Sequence, residues 1–386
     1  MREGRTGGGA RDTRGGLWRR GLRAALAAGV AALALATAAP AATAAEGDPA
    51  GWGWGPFTTG NDFLLAAGFL AAHPGLPQTL PDGAWEVEVG YGVANTFAKS
   101  RPFNGLFASD KTRRPVTVAD LDAAAAGRDG LFYADGEVSR SSLTVRRGIG
   151  RVEVEATVPI LDVGGGYMDN VIEGFHSTFG LYQNGRRSVP RDVYTLYLRS
   201  AGRRLFTTEG AGAGLGDVVL AAKCELPSSP AFLADVGFRH LAIQGLLKLP
   251  TGSQDDLYGT GSADVGLQLL SSRPVGRGRL DVTLSALALG AARKLDASSQ
   301  LVVAASVAYE RPLFRATSVL AQFDLAQSPL RTVQHSALTP TTYLISVGVG
   351  HAFTPRLSFV AGLTENLLNY DNSADVAVRF GLRRRF

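Results

Sequence analysis

Asp375-Val-Ala-Val-Arg-Phe-Gly-Leu-Arg-Arg-Arg-Phe386 is the stretch on which the fold turns. Val376, Val378, Phe380, Leu382 and Phe386 share one parity. Asp375, Arg379, Gly381, Arg383 and Arg385 share the other, and Arg384 alone breaks the alternation. A period of two describes a strand with one apolar and one polar face. The strand runs to its aromatic last residue, as the closing strand of an outer-membrane barrel does at an interface that favours aromatic rings. An edge strand of a soluble sheet is the alternative for this stretch taken alone.

Working back along the chain, the same alternation recurs. Trp85, Val87, Val89, Tyr91 and Val93 oppose Glu86, Glu88, Gly90 and Gly92; Leu143 and Val145 oppose Thr144 and Arg146. Val152 to Val158 alternates with Arg151, Glu153, Glu155 and Thr157, and Val218, Leu220 and Ala222 alternate with Asp217 and Lys223. Further segments are centred on Leu241–Leu249, Val265–Leu269, Leu280–Leu284, Leu301–Tyr309, Val319–Leu325, Tyr343–Val349 and Leu357–Leu363. With the final strand they make twelve, an even number that suits a barrel with both ends on one side.

The connections sort by parity. Counting back from a periplasmic C-terminus, the links at 353–356, 310–315, 271–278 and 147–150 are short, and 227–236 is somewhat longer. In the other set, 97–135, 161–214, 251–261, 291–299 and 328–341 are long, and only 367–374 is short. Short inner turns and long outer loops are the outer-membrane pattern, whereas a soluble sandwich has no reason to sort its loops this way. The expected fold class is therefore all-β: a transmembrane antiparallel up-and-down β-barrel of about twelve strands, spanning 84–386.

The N-terminus supports export. Residues 1–23 hold seven Arg, Leu22 to Ala39 is an Ala/Leu/Val run, and Ala42-Thr-Ala44 offers small residues at cleavage spacing, so 1–44 reads as a secretory signal peptide and the barrel as bacterial and outer-membrane. Of the 39 basic and 34 acidic residues, seven and two lie in this leader, leaving 32 of each, so charge gives no reason to expect a nucleic-acid partner. A single cysteine, Cys224, excludes an internal disulfide and a cysteine metal cluster. Residues 45–83, broken by Pro74, Pro77 and Pro81, read as a periplasmic lead-in with a route into the lumen. Expected partners are outer-membrane lipid, an unidentified small solute, and the barrel-assembly machinery through the strand ending at Phe386.

If apolar positions face lipid, the polar set faces a lumen: Glu86, Glu88, Arg146, Glu153, Glu155, Asp217, Lys223, Lys248, Asp264, Asp281, Arg379 and Arg383. Charges there need water or partners. Their mixed signs predict no strong ion selectivity.

The densest stretch for chemistry is Gly164 to Phe179. After a triple glycine, Met168, Val171, Ile172, Phe175 and Phe179 fall at helical spacing, which predicts a short amphipathic helix, its apolar face packed on the barrel rim or folded inward. Read as a gate, the constriction residues are Met168, Val171, Ile172, Glu173, Phe175, His176 and Phe179. Glu173 and His176 at i, i+3 could hold a metal only with further ligands, and none is expected. His176 and Ser177 beside Glu173 invite a hydrolase reading, although adjacent helix residues point about 100° apart and Ser177 would need another base. A structural His–Glu contact is the simpler alternative. Gly210 to Gly216 precedes a strand, not a helix, so it offers no helix N-terminus for phosphate. No cofactor is expected. Val193–Leu198 and Arg203–Thr208 predict a small outer hairpin, and Pro115–Ala126 a short helix.

Gly55-Pro-Phe-Thr-Thr-Gly-Asn61, Ala94-Asn-Thr-Phe97, the Gly164–Phe179 stretch with its Ile172-Glu-Gly-Phe-His176 core, Gly214-Leu-Gly-Asp217 and Leu247-Lys-Leu-Pro-Thr-Gly252 resemble a bacterial family of uncharacterised outer-membrane proteins, domain of unknown function 3187. The last two motifs are also similar to barrels linked to aromatic-compound degradation. That resemblance implies passage of small apolar molecules and supplies no catalytic residues. The reading is a passive channel for small solutes, hydrophobic ones included, gated by the 161–214 loop. An outer-membrane lipid or ester hydrolase and a structural barrel with a closed lumen are the alternatives.

Overall fold

The structure is a computed structural model that describes residues 54–386 except 59, 108–111, 181–182, 209–211, 228–229, 236, 239 and 315. The proposed signal peptide lies outside the described residues. Among the described residues there are fifteen strands: β1 (Trp85–Lys99), β2 (Leu131–Ile149), β3 (Val152–Gly164), β4 (Thr195–Ser200), β5 (Arg203–Thr208), β6 (Gly212–Leu215), β7 (Val218–Glu225), β8 (His240–Leu249), β9 (Asp264–Val275), β10 (Gly278–Leu289), β11 (Gln300–Phe314), β12 (Thr317–Ala326), β13 (Thr342–Thr354), β14 (Leu357–Asn366) and β15 (Val376–Arg385). Three α-helices interrupt them: α1 (Val118–Ala124), α2 (Asp169–Phe179) and α3 (Ala231–Asp235).

Twelve strands close a cylinder. Each of β1, β2, β3 and β7 to β15 pairs antiparallel with its neighbours, and β15 returns to β1 with Val93 opposite Val378 and Glu88 opposite Arg383. All twelve periodic segments of the sequence are barrel strands. The predicted hairpin is β4–β5, which pairs onto the upper end of β2, and the predicted short helix is α1, started by a reciprocal Thr117–Asp120 capping box. The glycine-rich Gly212–Leu215, ahead of β7, is itself ordered. It pairs with the upper end of β3 as a further short strand.

The wall has two faces. Outward residues such as Val265, Leu267, Leu284, Leu301, Val307, Val347 and Val349 are exposed in rows along successive strands. Inward residues are buried, and what buries them is the N-terminal segment. Trp54 and Phe57 sit on the inner wall, their rings against Gly381 and against Gly348 and Gly362, where a Cβ would come within 2.7 Å of either ring. The chain then reaches a turn at Phe63–Leu70 near the outer mouth, inside a large apolar cluster with Phe132, Leu161, Leu246, Leu289, Leu295, Leu330 and Leu338. It comes back down past Leu80 to begin β1. Residues 54–80, part of the stretch assigned to a periplasmic lead-in, therefore lie inside the barrel.

Among the described residues no helix is long and apolar enough to cross a membrane.

Candidate functional site

The described residues of 54–80 contain no strand, so their backbone donors and acceptors need partners from elsewhere. The lumen side chains supply them. Glu310 accepts from the amides of Trp54 and Gly55 at 2.9 Å each, and Gln322 both accepts from the Phe57 amide and donates to its carbonyl. Arg383 donates to the Trp54 carbonyl and stacks its guanidinium 4.0 Å from the indole. Arg379 donates to the Gly60 carbonyl, Arg140 to that of Ala67, Lys248 to that of Gly68 and Lys223 to that of Leu76. Asp264 accepts from the Leu70 amide and Glu153 from the Leu80 amide. Gln268 donates to the carbonyl of His73.

The remaining valences are filled between strands. Arg146 bridges Glu86, Glu88 and Glu155; Arg383 reaches Glu86 and Glu88, so opposite charges face each other across the β15–β1–β2 seam. On the other wall Lys223 pairs with Glu153, and Lys248 lies 2.7 Å from Asp217 and 2.9 Å from Asp264. Arg279 joins Asp281 to Glu310. Every residue named as lumen-facing is thus placed inward, in an ion pair, and six of them also hold the N-terminal segment directly.

The segment brings one charge of its own. Asp62 is gripped by Arg140 at 3.0 Å and Arg379 at 2.5 Å. Burial alone would raise its carboxyl, but the two guanidinium groups more than offset that and hold it below the ordinary range. Two cavities flank the segment and share Gly60, Asn61, Ala66, Phe69, Leu70 and Ala71. One, of about 140 Å³, is lined by Glu88, Arg140, Thr144, Arg146, Glu155 and Lys248. The other, of about 80 Å³, is mostly apolar, with Leu287, Leu289, Val302, Ala304 and Leu344 beside Thr283, Ser285 and Ser306.

The helix read as a gate is elsewhere. Met168 and Ile172 pack with Val93, Val376, Tyr91 and Val378, which are the outward positions of β1 and β15. So α2 lies on the outside of the wall, neither in the lumen nor across its mouth, and the assignment of Met168, Val171, Ile172, Glu173, Phe175, His176 and Phe179 to a constriction is corrected. The reason is local. The outward row of β1 is interrupted above Val93 by Asn95, which bonds Asp169, Glu137 and Arg186, a polar anchor on the wall's outer surface. Gly165 and Gly166 permit the approach, since a Cβ on either would fall 1.8 Å from Asp192 or Glu137. Val171, Phe175 and Tyr167 are left exposed, and Phe179 ends the helix, its side chain outside the described set.

The hydrolase geometry is not assembled. Both Glu173 oxygens accept from Arg113, and Arg191 shares one of them; burial would raise the carboxyl, but the two arginines hold it below its usual range. Ser177 donates its hydroxyl to the Glu173 carbonyl four residues back, the usual bond of a serine within a helix, and accepts from Arg187. Among the described residues no group of three or more His, Cys, Asp or Glu is arranged to hold a metal.

Sequence reasoning missed Trp54, Phe57, Asp62, Glu310, Gln322 and Gln268. Their signal was available in the glycines at inward parity, Gly348, Gly362 and Gly381, which mark where another chain segment approaches a strand closely.

Among solved structures the chain is similar to the NanC porin (8% identity, TM-score 0.39, covering 78% of this chain and 98% of that one). It is also similar to the P. putida toluene transporter TodX (10%, 0.37, 80% and 91%) and to the CymD monoaromatic hydrocarbon channel (11%, 0.36, 80% and 89%). No curated protein matches it. A family model described as a protein of unknown function, DUF3187, matches residues 122–386, and the chain belongs to that family.

Proposed function

We propose that this protein is an outer-membrane channel for passive passage of small solutes, apolar ones included, and that residues 54–80 occlude it. The observation that carries this is the wiring of the lumen. Eight inward charged side chains, Arg140, Glu153, Lys223, Lys248, Asp264, Glu310, Arg379 and Arg383, bind an irregular segment through its backbone, an arrangement that fills a bore without adding a strand to the wall. A barrel meant only as a scaffold could fill its interior with side chains, as small barrels do. The apolar cavity beside Leu287, Val302 and Leu344 supports apolar cargo, and NanC, CymD and TodX, to which the chain is similar, are a porin, a monoaromatic hydrocarbon channel and a toluene transporter.

The apolar cluster at Phe63–Leu70 favours the second reading, a structural barrel whose lumen stays shut. Uptake by proteoliposomes separates the two. Solutes graded in size and polarity are presented to the whole chain and to a variant lacking residues 54–80. The channel reading expects the variant to admit solutes that the whole chain admits slowly, with small apolar molecules fastest. Impermeability of both forms, with the variant shown to be folded, would leave the structural barrel.

A further inference from the structure

The segment Tyr167–Phe179 fits neither a gate nor an active site, and its position gives it another use. Outward residues of β1 run Val87, Val89, Tyr91 and Val93 up to Asn95, which faces Val376, the last of the outward β15 row Leu382, Phe380, Val378 and Val376. The apolar run of β1 is therefore broken at Asn95, level with Val376. There α2 docks, with Met168 and Ile172 against Val93 and Val376 and with Asp169 bonded to Asn95 and Arg186. One side of the helix is thus taken by the wall. On the adjoining side Tyr167, Val171 and Phe175, spaced four apart, form a stripe, with Val171 67% exposed and Phe175 44%. Exposed Arg191 and part-exposed Arg113 are held by Glu173 on the side of the helix away from the stripe.

We propose that α2 is an interfacial helix whose Tyr167–Val171–Phe175 stripe is buried among the lipids of the outer leaflet, at the boundary of acyl chains and headgroups. The occupant follows from continuity. The stripe lies on the outward side of the wall and extends the exposed apolar rows of the strands at their upper edge, where aromatic residues sit in membrane barrels. An amphipathic helix with its apolar face toward lipid and arginines on its polar side meets the physical requirements of that layer. The helix then sets how deeply β1 and β15 sit in the bilayer, and so holds the closing seam of the barrel. This rests on the outer-membrane reading and is independent of what passes through the lumen.

The test uses the whole chain in phosphatidylethanolamine–phosphatidylglycerol vesicles, with Cys224→Ser and single cysteines carrying a nitroxide at 171, 175, 265 or 336. Val265 is an exposed outward residue of β9, and Ser336 is exposed in an outer loop. Collision of the label with oxygen is compared with collision with a water-soluble nickel chelate. The oxygen-to-nickel ratio should favour oxygen at 265, 171 and 175 and nickel at 336. A ratio at 171 and 175 that matches 336, while 265 favours oxygen, would overturn the helix proposal and leave the membrane reading standing. A ratio favouring nickel at 265 would sink that reading itself. Shielding of 171 from both reagents, with a spectrum broadened by a second label, would make the stripe a contact between copies and would equally overturn the proposal.

Discussion

Single residues in this protein divide by which side of the wall they serve. Val347 is half exposed on the outward row of β13, so Val347→Arg should cost about 2–4 kcal/mol in vesicle unfolding if it lies near the midplane. Lys248 is buried between Asp217 and Asp264, and Lys248→Met leaves both carboxylates uncompensated. Breaking a buried pair in this way costs about 3–5 kcal/mol. A loss below about 1 kcal/mol at Lys248 would mean that water already solvates the site. Asp62 carries a pH dependence with a definite sign. Its folded pKa is depressed below the ordinary 3.8 by Arg140 and Arg379, so its contribution is fully present above about pH 4. The contribution is lost as pH falls through the folded value. Trp54 fluorescence should therefore report release of the N-terminal segment only at strongly acid pH, and Asp62→Asn should show the loosened signal already at pH 7. Release on going from pH 5 to pH 8 would contradict the assignment.

At the scale of elements, strands were legible and irregular segments were not. A strand on a two-sided wall must alternate, so each of the twelve wrote its own period into the sequence, from Trp85–Val93 to Val376–Leu382. The lumen residues followed from the same parity. The helix at 169–179 was also legible, because its apolar spacing is regular. Its location was not: the same stripe suits a lumen, a rim or an outer face, and the choice depends on Asn95, Glu137 and Arg186, which come together only in the folded chain. Residues 54–80 left a fainter trace. Their backbone is satisfied by side chains far away in sequence, so no local period exists to be read. What marks them is the set of inward glycines that receive Trp54 and Phe57. Gly362→Leu should therefore displace Phe57, whose ring would lie 2.7 Å from the new Cβ, and raise Trp54 solvent exposure without opening the barrel wall. Unchanged quenching of Trp54 by iodide would refute that placement.

For the whole molecule, the closed ring of strands and the sorting of its loops make two expectations. Unboiled protein in detergent should run differently on a gel from boiled protein, because a closed barrel unfolds as a unit. A tag at Asp255, in the exposed turn between β8 and β9, should be reachable from outside intact cells, and a tag at Pro355 should not. Reversed labelling would invert the orientation.

The central claim is that the N-terminal segment, not the α2 loop, closes the pore. Single-channel conductance in planar bilayers tests it most directly, comparing the whole chain with a variant lacking residues 54–80 and one lacking Met168–Phe179, each first shown to be heat-modifiable. The account predicts large, steady conductance for the first variant and whole-chain behaviour for the second. A closed first variant beside an open second would contradict it.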